Sequence, residues 1–250
     1  MSNLIRGEFY KLRKSKYFVG MMFLSVIVGF FLTDMWSRDR EMNVMFADYP
    51  FDVLHSIGYA FNFIVLSSFL FALLAGEFIA KDFNTHKLSN IFSYGYSRSK
   101  IILSKFIVFI VCSLFLEIIY LTIFVIYVSS RHGFCEVLNL SVILQFIRMV
   151  VVGILFNLAT ISLLALISVL TKSSYITFIA PIFILFSFGY YIHTGFSVHI
   201  LEYMPYIYGG NRLSTLKSEA AVIKSIISLF LSFGITIGVS LLYIKYEDIR

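Results

Sequence analysis

One acidic residue lies deep inside a long apolar stretch of the sequence. Glu117 is flanked on both sides by runs of Ile, Leu, Phe and Val. An ionisable side chain at the centre of a membrane helix costs about 2.5–3.5 kcal/mol on insertion scales, so it points to a partner or a function. Arg148 lies early in the next apolar stretch and is the expected partner. We predict an ion pair that holds two helices together; the alternative is a role for Glu117 in substrate passage.

Two amide side chains, those of Asn62 and Asn157, also lie inside apolar stretches. Amides in such positions commonly hydrogen-bond to a neighbouring helix. We therefore predict interhelical hydrogen bonds for both rather than contact with cargo. The hydroxyl residues of the same region, such as Thr160 and Ser162, are predicted to pack between helices.

The remaining reactive residue types form no pattern typical of an enzyme. The five histidines are scattered, and the sequence contains no H-E-x-x-H zinc motif, no nucleophile elbow and no G-x-x-x-x-G-K-[ST] phosphate loop. An intramembrane protease would need paired acids or a histidine cluster within its spans, and only Glu117 lies deep. We predict that the chain has no catalytic residues and binds no metal or cofactor of its own.

The composition predicts that these residues lie on transmembrane helices. Hydrophobic residues make up 59% of the 250 residues and charged residues 14%, which is too few to cover a soluble surface. A transmembrane helix needs about 20 mostly apolar residues, and the segments of about ten alternating residues typical of a barrel are not seen. Six apolar blocks are long enough: Phe18–Met35, Ile57–Phe78, Ile101–Val128, Val142–Leu170, Tyr175–Ile192 and Val222–Tyr243.

The basic residues predict the orientation of these spans. The net charge of +6 could suggest nucleic acid, but the Lys and Arg residues sit mainly at the ends of the apolar blocks. They are more frequent in the N-terminal segment, the 80–105 connection, the turn at Lys172 and the C-terminal tail than in the other connections. By the positive-inside rule, both termini are predicted to be cytoplasmic. The first span is predicted to be uncleaved, since no small-residue cleavage site follows it.

The N-terminal segment, residues 1–17, is predicted to be an amphipathic helix in the cytoplasmic interface of the membrane, with its apolar face in the lipid and its basic face near anionic headgroups. Phe9 falls on its apolar side and Arg13 on its basic side, with Lys11 at the margin. Glu8 falls within the apolar arc, which a purely lipid-facing helix would avoid. Two interpretations remain: a basic flank that sets topology, or an interfacial helix that also contacts protein.

The connection 80–100 is predicted to contain a short cytoplasmic helix. Thr85 is a plausible N-cap, and Leu88, Ile91 and Phe92 have the spacing of one apolar helix face. Ser97 is predicted to cap the following span. An apolar face on a connection fits docking into a groove of a soluble partner, and the alternative is a helix lying on the membrane.

The connection 193–221 is predicted to be extracellular. It is too apolar for a solvated loop and too short and broken to span, so we expect a re-entrant or interfacial segment. No soluble domain is evident, and 1–250 is interpreted as a single transmembrane domain.

In these features the sequence resembles the permease subunits of ABC-2 type ABC transporters. The resemblance rests on the N-terminal L-I-R-G-E-F-Y-K-L-R-K-S-K, on E-F-x₄-F-x-T-x-K-L followed by Y-S-R-S-K-I-I-L-S-K, and on Met204-Pro205. Many relatives have Gly where this chain has Asn84. The positions that match the family pattern are Glu77, Phe78, Thr85, Lys87, Ser97, Arg98 and Lys105.

The resemblance implies an all-α integral membrane protein of six transmembrane helices, with an N-terminal interfacial helix and a short coupling helix. It implies two permeases, identical or related, that work with two cytoplasmic ABC ATPase subunits, which bind the ATP and Mg²⁺. The nearest resemblance is to exporters of lantibiotics, bacitracin and other antimicrobial or amphipathic peptides in Gram-positive bacteria. The alternative function is a non-transporting membrane scaffold or sensor partner.

Overall fold

The computed structural model of the protein describes residues 2–42, 52–84, 97–135, 139–194, 204–205 and 219–246. Regular structure in these ranges is entirely helical. Six continuous helical stretches in these ranges are long and apolar enough to cross a membrane. The predicted class, an all-α membrane protein with six spans, is confirmed.

The helices follow the predicted blocks closely, with ends extended by a few residues. We number them α1 to α9: Ser2–Arg13, Lys16–Met42, Val53–Asn62, Ile64–Ala75, Lys81–Asn84, Arg98–His132, Leu140–Thr171, Ser174–His193 and Glu219–Tyr246. A π-helical turn, Gly76–Ala80, joins α4 to α5. At 35 and 32 residues, α6 and α7 are long enough to extend beyond or tilt within a bilayer about 30 Å thick.

The second predicted span is not one uninterrupted helix. A turn at Phe63 separates α3 from α4, and the backbone N–H groups of Leu66 and Ser67 both donate to the Phe63 carbonyl, at 3.0 and 2.9 Å. α3 packs closely on α7, where a side chain at Gly153 would overlap the ring of Phe61. The break lets α3 lean on α7 while α4 continues through the centre of the bundle.

α4 is the central helix of the bundle. In the span that it forms with α5, 72% of the most apolar window is buried, against 22% for α9 at the periphery. α4 packs against α8 and α7, α2 packs along α6, and α9 packs along α7. Side-chain hydroxyls link these helices: Ser25 donates to the Leu116 carbonyl at 2.6 Å, and Thr236 donates to Ser162 at 2.8 Å. The predicted packing role of Ser162 is confirmed.

The two ends of the bundle differ in what they bring together. At one end, the Val53 N–H donates to the Gly133 carbonyl at 3.3 Å, and the Tyr59 hydroxyl donates to Asp39 at 2.5 Å. At the other end, α1, the residues on both sides of the 85–96 connection, and the turn between α7 and α8 come together. This second end unites the most basic connections of the sequence, and the candidate site lies there.

Candidate functional site

A cluster of four charged side chains lies where α1 meets the bundle. Glu8 and Lys11 come from α1, Asp82 from α5 and Lys105 from the second turn of α6. Asp82 precedes the 85–96 connection and Lys105 follows it. The cluster therefore ties the N-terminal helix to both sides of the connection that the sequence analysis singled out.

Lys105 is the centre of this cluster. Its side chain is 0% exposed, and its ammonium group binds Asp82 directly and Glu8 Oε2 at 3.1 Å. The same group lies 4.7 Å from the centre of the Phe78 ring, a cation–π distance. A buried ammonium needs this much compensation, because removing the charge from water costs several kcal/mol.

Lys11 closes the cluster from the outer side. Its Nζ lies 2.5 Å from Asp82 Oδ2 and 3.9 Å from Glu8 Oε2, and its side chain is 43% exposed. Two carboxylates thus face two ammonium groups, and the cluster has no net charge. Because the charges compensate each other, the free-energy cost of burying the cluster is lower than that of burying a single charge.

The cluster explains the position of Glu8 in the apolar arc of α1. Leu12 is buried in the main core, and Leu4, Ile5 and Phe9 pack against that core. The apolar face of α1 therefore lies against the bundle and not in the lipid, which corrects our expectation. Arg13, on the exposed side, remains available to headgroups, and the location of α1 in the interface stays a prediction.

The π-helical turn lies next to the cluster and is held by hydroxyl groups. Ser168 donates to the Ala75 carbonyl at 3.0 Å, and Ser174 donates to the Gly76 carbonyl at 2.8 Å. A Cβ at Gly76 would lie 3.2 Å from the Ser174 carbonyl oxygen, so a side chain there would crowd the turn between α7 and α8. π turns inside α-helices occur frequently at functional sites.

Two further cations, Lys81 and Lys172, lie at this end of the bundle. Glu77, in the π-helical turn, forms an ion pair with Lys81 one turn later. Lys172 has a left-handed backbone at the end of α7, with φ 51°, and its ammonium lies 5.8 Å from the ring centres of both Phe83 and Tyr243. The end of α9 is thereby brought to the same face as α5 and the α7–α8 turn.

Comparison with known proteins shows the family of this chain. A family model described as ABC-2 family transporter protein matches residues 4–197, which include the whole charged cluster. The chain belongs to this ABC-2 family. It is a multi-pass membrane protein and a permease subunit of an ABC transporter, and the family implies association with an ABC ATPase and typically with another permease. No curated protein matches the chain.

Five predicted coupling residues of this ABC-2 permease, namely Thr85, Lys87, Leu88, Ile91 and Phe92, lie outside the described residues. Ser97 is at the N-cap of α6 as predicted, but its side chain makes no capping hydrogen bond. Arg98 is the first residue of α6. The predicted re-entrant segment is also outside the described residues, except for Met204 and Pro205.

The predicted ion pair between Glu117 and Arg148 does not form. Glu117 is 1% exposed and accepts a hydrogen bond of 2.6 Å from the Asn157 amide of α7, whereas Arg148 is exposed. The reason is helical geometry: Arg148 and Asn157 are nine residues apart, about two and a half turns, and so lie on opposite faces of α7. Asn157 therefore makes the predicted interhelical bond, but Asn62 is half-buried with no hydrogen bond to another described residue.

The sequence analysis missed Asp82 and the central role of Lys105 in this ABC-2 permease. Glu8 was the available signal, since an acid in an apolar arc requires an internal cation. The spacing along the sequence could not identify that cation, because Lys105 is separated from Glu8 by two complete spans. Within the described ranges, no three His, Cys, Asp or Glu side chains are grouped as a metal site would require. The ion pairs of the cluster attach α1 to α5 and α6.

Proposed function

We propose that this permease is the membrane subunit of an ATP-driven exporter of antimicrobial or amphipathic peptides, serving resistance, immunity or secretion. The observation that supports it most is the charged cluster, in which Asp82 and Lys105 bracket the 85–96 connection and bind α1. A connection fastened on both sides to the spans can pass force to them. A loose connection would absorb that force.

The need for such a connection follows from the separation of hydrolysis and movement. The chain contains no phosphate loop, so ATP and Mg²⁺ bind to a separate cytoplasmic subunit. Closure of that subunit must act on the spans through a contact at the basic end of the bundle. The other connection at this end, between α7 and α8, is only two residues long, Lys172 and Ser173.

The apolar residues of the connection are the proposed docking face. Burying one such side chain contributes about 1.5–3 kcal/mol, enough to matter at a small interface. Ile91→Asp and Phe92→Asp should leave membrane insertion intact but release the ATPase or uncouple hydrolysis from transport. Asn90→Asp is the matched control, because it adds a carboxylate to the same connection off the proposed face.

Three measurements test this docking face. Fluorescence-detected size exclusion reports insertion, co-purification reports ATPase binding, and peptide-stimulated hydrolysis in proteoliposomes reports coupling. Normal binding and normal transport by both variants would refute the assignment. If no ATPase binds even to the unaltered permease, the scaffold or sensor alternative gains.

The peptide cargo is proposed from the resemblance and from the apolar character of the spans. An amphipathic peptide can enter laterally from the membrane, which suits a bundle whose peripheral helices expose large apolar side chains such as Phe183 and Phe186. Deletion of the gene should raise sensitivity to such a peptide or block its secretion, and wild-type but not Ile91→Asp should restore it. An unchanged response across a peptide panel would contradict the cargo assignment.

The active assembly is proposed to contain two permeases and two ATPases, with both permease termini in the cytoplasm. A single bundle has a compact core around α4, and a peptide path is expected between two copies. Native mass measurement of the active complex should give two permease subunits. One permease per complex would contradict the proposal.

A further inference from the structure

The contact between Glu117 of α6 and Asn157 of α7 leaves two hydrogen-bond acceptors without partners. Asn157 Nδ2 donates to Glu117 Oε1 at 2.6 Å. The other carboxyl oxygen, Glu117 Oε2, and the amide oxygen, Asn157 Oδ1, are both buried and have no hydrogen-bond partner among the described residues. Unpaired buried acceptors are rare in native proteins, so two of them in one contact call for an explanation.

A single proton on the carboxyl group satisfies both acceptors. A protonated carboxylic acid has one O–H donor, and a primary amide offers one N–H donor and one carbonyl acceptor on the same edge. With the proton on Oε2, the acid donates to Asn157 Oδ1 while Asn157 Nδ2 donates to Oε1. The two side chains then form a cyclic pair with two hydrogen bonds.

Apart from the Asn157 N–H, no hydrogen bond or ion pair from a described residue favours the ionised form of Glu117. Ser25 of α2 bonds the Leu116 carbonyl, and Ser67 of α4 lies 3.5 Å from the hydroxyl of Tyr120. Ser113, one turn before Glu117, has a buried hydroxyl that makes no hydrogen bond to a described residue. Tyr120 is a titratable neighbour on α6, and the other side chains named here carry neutral hydroxyl groups.

Neither Asn157 nor Glu117 is reachable from outside the bundle, since they are 0% and 1% exposed. A carboxylate held in such a position would be paired with a cation, as acids inside membrane proteins generally are. The described cations that form ion pairs lie at the ends of the helices, and Arg148 is exposed on the opposite face of α7.

We propose that Glu117 binds a proton and forms a neutral acid–amide pair with Asn157, which locks α6 to α7 inside the membrane. The pair is a proton-binding site distinct from the charged cluster near the 85–96 connection. It does not depend on the identity of the cargo or on the ATPase.

Infrared difference spectroscopy of the full-length protein in lipid tests the protonation directly. The carbonyl stretch of a protonated carboxyl lies above the amide and carboxylate bands. Wild type minus Glu117→Gln should show one such band at neutral pH, shifted in deuterated water. Asn157→Leu should move the band to higher frequency, because the carbonyl loses the hydrogen bond from Nδ2. Asn157→Ala provides the same comparison if Asn157→Leu does not fold.

Stability measurements provide the second readout. Glu117→Gln should melt within a few degrees of wild type, since two facing amides also form two hydrogen bonds. Asn157→Leu should melt clearly lower, whereas Asn62→Leu, which removes a half-buried amide without a described partner, should change little.

Three results would overturn the proposal. Absence of the carboxyl band would mean an ionised Glu117 satisfied by water or a cation. A band that Asn157→Leu and Asn157→Ala leave unmoved would mean a protonated acid not paired with the amide. Failure of Glu117→Gln to fold would mean that the charge itself is required.

Discussion

At the scale of single residues, the most constrained side chain is Lys105. It is fully buried and binds two carboxylates, so those carboxylates depend on it for compensation. Removing one member of a buried ion cluster destabilises a protein more than replacing the whole cluster by apolar residues, because the remaining charges stay buried and unpaired.

Lys105→Met should therefore destabilise the protein severely. Breaking a buried ion pair costs about 3–5 kcal/mol, and methionine has a similar length but no charge. Lys100→Met is the control, because Lys100 lies on the same helix, one turn and a half earlier, and is exposed. Thermal unfolding of the two variants in detergent measures the difference, and equal melting temperatures would show that the cluster does not stabilise the fold.

The burial of single residues was predictable where a charged residue type stands among apolar neighbours in the sequence. Glu8 and Glu117 both stood out as acids among apolar residues, and both are buried and hydrogen-bonded. Their partners were not predictable from proximity along the chain. Counted at about 1.5 Å per residue from the predicted block ends Val128 and Val142, Asn157 lies about 6 Å deeper than Glu117 and Arg148 about 7.5 Å shallower, so depth alone could not choose between the two partners.

At the scale of elements, α1 is attached to the bundle by specific contacts. Leu12 is buried in the core, and Glu8 and Lys11 share the cluster with α5 and α6. α1 and α2 are separated by a short break at Lys14 and Ser15, which allows α1 to turn back on the bundle. An element held in this way is expected to move with the connection that it braces.

Glu8→Lys should detach α1 while leaving the spans inserted. The change places a third ammonium beside Lys105 and Lys11, and like charges at this separation repel strongly when buried. Trypsin should then cleave faster in the break after Lys14, which a mass measurement of the fragments detects. Asn3→Lys, which adds a positive charge at an exposed position of α1, should leave the cleavage rate unchanged. Equal cleavage of both variants would show that Glu8 does not hold the helix.

Elements were predicted well where they are long and uniformly apolar. The starts and ends of α6, α7 and α8 lie within a few residues of the predicted blocks, because lipid requires every backbone group in a span to be hydrogen-bonded within its helix. The break at Phe63 and the π-helical turn have no Pro or Gly–Ser signal of their own. They arise from packing, on Gly153 of α7 and on the serines of the α7–α8 turn.

At the scale of the whole molecule, the grouping of connections supports the predicted topology. α1, α5, the start of α6 and the α7–α8 turn share one end of the bundle, and these include the connections richest in Lys and Arg. These connections share one end because each span crosses the membrane once, so that every second connection lies on the same side. Which side of the membrane this end faces rests on the positive-inside rule.

Cysteine labelling tests that orientation. In a background with Cys112→Ala and Cys135→Ala, single cysteines at Asn43 and Ser214 should react with an impermeant reagent in intact cells. A cysteine at Ser89 should react only after the membrane is opened. Labelling of Ser89 in intact cells would invert the topology and remove the proposed ATPase contact.

The charged cluster also predicts how this protein can change in evolution. Replacing a whole buried ion group by apolar residues is often neutral or even stabilising, whereas every path through a single replacement leaves an uncompensated charge. Positions 8, 82 and 105 are thus expected to covary across related permeases, as three charges or as three uncharged side chains. At position 11, where the side chain is 43% exposed, water can replace the ammonium in part, so single changes are expected to be milder than at the three buried positions.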